Sequence, residues 1–404
     1  MLATEAGNGS TVSGRRLAGA ALAVMCVGSI VAACAPVKPP PAPQQPPLPP
    51  PPPDLEPPAD SPTLTTDTNF VTGLTNPWDM AFLPDGTMFF TQRPGPVQVR
   101  LPNGTINNIV TPGDLLPANE AGMNGIAVDP NFASNRFIYT YYSSTANDNR
   151  IVRWQVNATL NGIDGSAVIT SGIPRALSHD GGRVRFGPDG KLWFTTGDNQ
   201  IGPLPQDLSQ LGGKIGRINS NGTIPADNPF VGQPGIDDRI YTYGHRNPQG
   251  IAFRPGNGAP YTTEHGPDIN DEVNQLVPGA NGGWDPNNNG AYDESVPMTD
   301  LLKFPDAMIP AWRSGDSFTL APSGCTFLNG TQWKSWDGAL LVAFLKDSEA
   351  RVMFLDGNGN ISFATPILAN GVRLRSAVQG PDGNLYIATD VAAGGGAIWK
   401  VVPS

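Results

Sequence analysis

The chain has 404 residues, with 25 Lys+Arg against 35 Asp+Glu and a formal net charge of −10. That acidic balance argues against a nucleic-acid partner, whose backbone calls for a basic face, and is typical of a soluble exported domain. The three cysteines, Cys26, Cys34 and Cys325, say little about bridges.

Residues 1–33 read as an export signal. Arg15 and Arg16 precede an apolar stretch from Leu17 to Ala33, the charged start and hydrophobic centre of such a segment. A spanning helix is the competing reading, at the short end for crossing a bilayer. The stretch closes on IVAAC, residues 30–34, which resembles the lipobox of bacterial lipoproteins. The expected mature chain begins at a lipidated Cys34, held to the membrane by that anchor alone. Its expected place is the bacterial cell envelope, at the outer face of the cytoplasmic membrane or in the periplasm. An ordinary cleavage region ending at Cys34 is the alternative. Residues 34–65 are dominated by proline, which lacks a backbone donor and favours extended polyproline II, so they read as a semi-rigid spacer.

Residues 66–404 remain as the folded part, long enough for one large core. The unit FGPDGKLWFTTGD at 186–198 recurs as FLPDGTMFFTQ at 82–92 and QGPDGNLYIATD at 379–390. Looser copies are VDPNFASNRFIYTYY, FRPGNGAPYTTEHG and FLNGTQWKSWDGALLVAFL. Each copy has an apolar lead-in, a Pro-Asp-Gly or Pro-Asn type of turn, and then alternating residues rich in Phe, Tyr, Trp, Ile and Thr, which spells strand, tight turn, strand. No segment sustains an apolar period near 3.6, so the expected fold is all-β. Six units over this region give about 56 residues each, the size of a four-stranded blade with a long loop, and predict a six-bladed β-propeller of antiparallel blades. A β-sandwich or two packed barrels would not explain the returning hairpin.

Between the hairpins, charged and small residues gather in HDGGRVRF, TTGDN, YGHRNPQGIAF, EHGPDINDEVN, FLKDSEARV and GVRLRS. The loops of a propeller collect at one mouth of its channel, which places these clusters on one surface. Four ordered motifs, HxGGR around His179, GPDGKLWFTTGD after it, GHRNPQGIAF and EHGPDINDEVNQL, resemble the soluble quinoprotein glucose and aldose sugar dehydrogenases. The similarity runs from about Asn76 to Asp390. It implies a PQQ- and calcium-dependent enzyme that oxidises an aldose at C1 to the lactone and passes electrons to an external acceptor.

The resemblance also implies roles for particular residues. His179 would take the C1 hydroxyl proton while hydride passes to the quinone, and Asp198 would orient it; an imidazole suits that work near neutral pH. Taken alone, the two could instead be a histidine bonding a turn and a carboxylate capping a strand end. Arg246 and Asn247 match the pair that contacts the quinone, where a guanidinium would stabilise arriving negative charge; His245 beside them reads as structural. Lys346, Arg373 and Arg375 match cations that grip the three PQQ carboxylates. Gly266 and Pro267 match positions whose carbonyls hold calcium, a hard cation suited to such oxygens, while Asp271 and Glu272 read as braces of that loop.

Two stretches depart from the family. Where many relatives have GQGGLLG this chain has EAGMNGI from Glu120 to Ile126, so Glu120 replaces a glutamine near the sugar. QIGPLPQ at 200–206 replaces a charged loop. Both bear on which sugar is taken, not on the quinone. A non-catalytic propeller holding a glycan or protein is the rival reading and predicts loss of the cation set, which is intact here. A calcium-dependent lactonase would rely on side-chain carboxylates and asparagines at its metal, whereas arginines and a lysine suit an anionic cofactor.

Overall fold

The computed structural model describes residues 45–404; the export signal, Arg15, Arg16 and the lipidation call on Cys34 lie outside the described residues. Six four-stranded antiparallel sheets form the blades of a propeller. The first five take their strands in chain order, starting from the inner strands Pro77–Phe82, Met123–Val128, Val184–Phe186, Pro248–Phe253 and Pro322–Phe327. The sixth starts from Leu374–Gln379 and is completed by the first strand of the fold, Leu64–Leu74, which pairs antiparallel with Gly396–Pro403. This pairing ties the two ends of the ring together, so no blade edge is left at the seam.

The repeated turn sits at the same place in each blade, between its first and second strands. In the first blade Gly86 N donates to Leu83 O at 3.0 Å and Leu83 N to Thr87 O at 2.8 Å. The same pair of bonds recurs at Gly190 and Gly187 in the third blade and at Gly383 and Gly380 in the sixth. The glycine takes a left-handed φ of 88°, 70° and 75° in the three copies, which is why the turn ends in Gly. Looser copies replace it with a short helix, Phe132–Asn135, or a 3-10 segment, Thr331–Trp336.

Antiparallel order then decides where chemistry can gather. If these turns lie at one end of the ring, the starts of the inner strands and the ends of the second strands lie at the other. His179, Arg246, Asn247 and Arg373 lie in the loops that lead into inner strands, while Asp198, His265, Lys346 and Asp390 lie in the loops that follow second strands. All therefore face one mouth.

A polar knot fills the channel below that mouth. Asp79 is fully buried and bonded to Arg183 at 2.6 Å and Arg185 at 2.6 Å and 2.8 Å, with Ser376 Oγ and Ile126 N also donating to it. Burial alone would raise its carboxyl, but the charges of Arg183 and Arg185 outweigh that and hold it below the ordinary range.

The proline-rich residues from 45 onward lie against the blades. Asp54 pairs with Arg351 at 2.8 Å and 2.9 Å and bridges Ala364 on the outer strand of the fifth blade, and Arg313 Nε donates to Pro49 O at 2.9 Å. Prolines cannot donate to a ladder, but their carbonyls still accept, as Pro53 O does from Ala364 NH at 3.1 Å, and the NH of Leu55 donates to Ala364 O at 2.8 Å.

Candidate active site

His179 lies at the end of a loop in a left-handed conformation, φ 60°, that side chains other than glycine rarely adopt. What holds it there is contact. Glu120 Oε2 accepts its backbone NH at 3.0 Å, and its carbonyl accepts from Asn199 Nδ2 at 3.1 Å. Gly197 lets this carbonyl approach, because a Cβ at position 197 would sit 1.9 Å from it. The ring nitrogen Nδ1 lies 2.7 Å from Asp198 Oδ1. Since the carboxylate must accept, Nδ1 carries the proton, and Nε2 is left as the basic nitrogen with no partner among the described residues.

Asp198 is fully buried and saturated with donors: Gln200 NH at 3.0 Å joins His179 on Oδ1, while Trp284 Nε1 at 2.7 Å and Tyr292 OH at 2.8 Å share Oδ2. Its own NH donates to Arg246 O at 2.8 Å. The loop beyond it is pinned from below by Lys214, whose buried ammonium donates to the carbonyls of Leu204, Pro205 and Gly212 at 2.6–3.0 Å. Burial pushes this amine down to about 7, and the three carbonyls work against that loss of charge.

Arg246 Nη1 donates to His265 O at 3.2 Å and Nη2 to Glu294 Oε1 at 2.5 Å, while its NH is fixed by Glu264 at 3.1 Å. Asn247 Oδ1 accepts from Gly181 NH at 3.1 Å, on the His179 loop. His245 is structural, as the sequence suggests: Glu264 and Thr242 occupy its two ring nitrogens at 3.0 Å and 2.9 Å. His265 is different. Its Nε2 is shielded and partnerless, and burial followed by the charges of Arg246 and Arg375 pushes it well below the usual histidine range, so it is neutral.

Arg375 is buried, donating to Gln249 Oε1 at 2.7 Å and Asp390 Oδ2 at 2.8 Å. Arg373 is half exposed and reaches the same Asp390 oxygen at 3.5 Å. Lys346 is exposed and enters through its backbone, bonded to Leu320 O at 3.0 Å. One cation escaped the sequence reading: Arg93 lies 3.7 Å from Asp390, and burial together with Arg375 pulls it below the ordinary guanidinium range. Gly266 and Pro267 form a tight turn braced by Asp271, whose buried carboxylate accepts from Gly266 NH at 2.9 Å, Thr319 Oγ1 at 2.8 Å and Ala321 NH at 3.0 Å. Glu272 points the other way, to Thr299 at 2.7 Å and Asn274 at 3.1 Å. Among the described residues no three His, Cys, Asp or Glu side chains are grouped to hold a metal; a cation here would take carbonyls.

The arrangement is a base with a free nitrogen beside a ring of cations, several with unspent donors. Arg246 Nε, Asn247 Nδ2 and Arg375 Nε are buried donors without partners among the described residues, which suits an anionic, oxygen-rich guest. A family model described as Glucose / Sorbosone dehydrogenase matches residues 74–400. The chain belongs to the glucose/sorbosone dehydrogenase family. Aldose sugar dehydrogenase YliI of Escherichia coli is 30% identical over 342 residues, covering 82% of this chain and 91% of that protein. Quinoprotein glucose dehydrogenase B of Acinetobacter calcoaceticus is 28% identical, covering 80% and 84%. Among solved structures, the PQQ-bound aldose sugar dehydrogenase of Streptomyces coelicolor superposes with a TM-score of 0.70 at 28% identity, covering 86% of this chain and all of that one. As a glucose/sorbosone dehydrogenase, the chain is a sugar-oxidising enzyme.

Proposed function

We propose that this protein oxidises an aldose at C1 to the lactone, using PQQ and calcium at the propeller mouth and passing the electrons to an external acceptor. The observation that carries the reading is the buried His179–Asp198 pair, its Nε2 free, beside partnerless donors on Arg246, Asn247 and Arg375. Those donors and the guanidiniums of Arg373 and Arg93 fit a tricarboxylate, and Lys346, exposed in the loop after the second strand of the fifth blade, would add an ammonium to them. The carbonyls of Gly266 and Pro267 would hold calcium in the turn that Asp271 braces. Bound PQQ supplies the two-electron acceptor that no side chain can provide.

The chain's own residues do the rest. His179 Nε2 accepts the C1 hydroxyl proton, and Asp198 stabilises the resulting imidazolium through Nδ1. Arg246 directs positive charge at the site where negative charge develops. Glu120 spends Oε2 on the His179 backbone and has Oε1 left for a sugar hydroxyl. Export and lipidation at Cys34 belong to the same proposal, and the mass of the mature N-terminal peptide tests them.

The test is reconstitution of the full chain with PQQ and calcium, a dye acceptor and a panel of aldoses. Sugar-dependent dye reduction that requires both additions and is lost in His179→Ala supports the reading. Failure of PQQ to bind overturns it.

A further inference from the structure

The connection between the third and outermost strands of the fourth blade, residues 276–311, is far longer than a turn and carries its own two-stranded hairpin, Asn287–Asn288 paired with Ala291–Tyr292. This hairpin reaches the acid–base pair. Tyr292 OH lies 2.8 Å from Asp198 Oδ2 and 3.4 Å from His179 Nδ1. Two residues on, Glu294 reaches Arg246. The hairpin is seated on the loop after Asp198, close enough that a Cβ at Gly202 would meet Ala291 O and Asn287 Cα at 3.0 Å.

We propose that Tyr292 is a positioning residue for the proton transfer: it locks the Asp198 carboxylate so that His179 keeps its proton on Nδ1 and presents Nε2 to the substrate. A carboxylate held by one oxygen can rotate, and an imidazole that loses its acceptor can move its proton to Nε2, where it is useless as a base. Asp198 cannot rotate while both oxygens are engaged. Trp284 Nε1 engages Oδ2 from one direction, and the phenol of Tyr292 supplies its second donor from the hairpin, 3.4 Å from His179 Nδ1, which fixes the plane that the carboxylate turns to the ring. Burial, and then the Asp198 charge, raise the phenol far above its ordinary range, so it is a donor throughout the working range. Glu120 and Asn199 fix the His179 main chain but do not bond its ring, so the tautomer is left to Asp198 and its donors.

The inference rests on the dehydrogenase reading, and its test has an arm that does not. In Tyr292→Phe, which removes one hydroxyl and keeps the ring, kcat for the aldose is expected to fall about tenfold or more, the scale of a hydrogen bond to a charged group, while KM and the affinity for PQQ change less than about twofold. Without PQQ, 15N NMR of the histidine ring is expected to move from a single Nδ1-protonated form in the wild type to a mixture in the variant. Asn288→Ala, which removes the bond from Asn288 Nδ2 to Asp293 at 3.1 Å, loosens the hairpin without touching the pair and serves as the control. The proposal is overturned by an unchanged His179 spectrum in Tyr292→Phe, by a kcat within twofold of wild type, or by equal losses in Tyr292→Phe and Asn288→Ala. If no aldose reacts even in the wild type, the NMR arm still decides whether Tyr292 sets the tautomer.

Discussion

Glu294→Gln is expected to tighten PQQ binding. Arg246 is 6% exposed and Glu294 41%, and their Nη2–Oε1 distance is 2.5 Å, so a carboxylate on a half-exposed side chain occupies the guanidinium that the cofactor would use. An incoming anion must displace that carboxylate or share the arginine with it. Pairs with one well-exposed partner are worth about 0.2–1 kcal/mol because water screens them, and removing the charge should therefore lower Kd by about 1.5- to 5-fold. Glutamine keeps the length and a weaker acceptor, which leaves Arg246 in place. Trp284 lies with its ring 5.8 Å from the Arg246 guanidinium, so quenching of tryptophan fluorescence during PQQ titration reports the event. The gain should shrink in high salt, since the competing pair is already screened there. An affinity that falls in the variant would refute the reasoning, because it would make Glu294 a ligand of the bound state instead of a competitor.

Asp79→Asn should cost about 3–5 kcal/mol, since it strands the buried charges of Arg183 and Arg185; the shift in urea midpoint measures it, and a loss under 1 kcal/mol would mean that the knot is dispensable. Glu272→Gln tests a pH dependence. Burial, then the Glu264 carboxylate, push Glu272 up to about 8, above its unfolded value, so its contribution to stability is complete below the ordinary carboxyl range and is lost as pH rises through 8. The variant should therefore lose less stability than wild type between pH 5 and 9. Because Asp180, raised to about 6, and Glu349, raised to about 7, tilt the profile the same way, the difference between the two proteins is the quantity to compare. Gly197→Ala should abolish activity by forcing the His179 carbonyl away, with chain folding checked by circular dichroism; an active variant would show that the loop can relax.

The fold was legible because its signal repeats. Each blade needs a residue that tolerates a left-handed φ at one turn, and the Pro-Asp-Gly copies at 84–86, 188–190 and 381–383 mark that need directly. The cations and the His179–Asp198 pair sit beside those repeats, but their roles were read from the resemblance of the motifs around them, since charge and spacing alone would have left His179 a turn residue. Arg93, His265, Trp284, Tyr292 and Glu294 were not singled out as site residues. Arg93 directly follows a second strand, as Asp198 does, so strand order alone could have found it. His265 hides in a quoted motif whose neighbours drew the attention. Trp284, Tyr292 and Glu294 lie in the long connection 276–311, outside every repeat, and only tertiary contact brings them 86, 94 and 48 residues back along the chain to Asp198 and Arg246.

That distribution bears on the choice of sugar. The residues that face an anionic guest are anchored by the blades themselves, through strand starts and buried partners such as Glu264 and Gln249. The loops at 120–126, 200–206 and 285–295 meet at the His179–Asp198 pair: Glu120 holds the His179 backbone, Gln200 NH and Tyr292 OH hold Asp198, and Gly202 is packed under the hairpin. A change in any one of them moves the others and the base together. Substrate preference in this protein is therefore expected to shift with the loops as a set. Exchanging Glu120 alone for glutamine would leave the His179 NH a neutral acceptor in place of a carboxylate, and so alter the base and the sugar contact at once, which makes the ratio of kcat/KM values between aldoses, and not the activity on any one of them, the measure of its role.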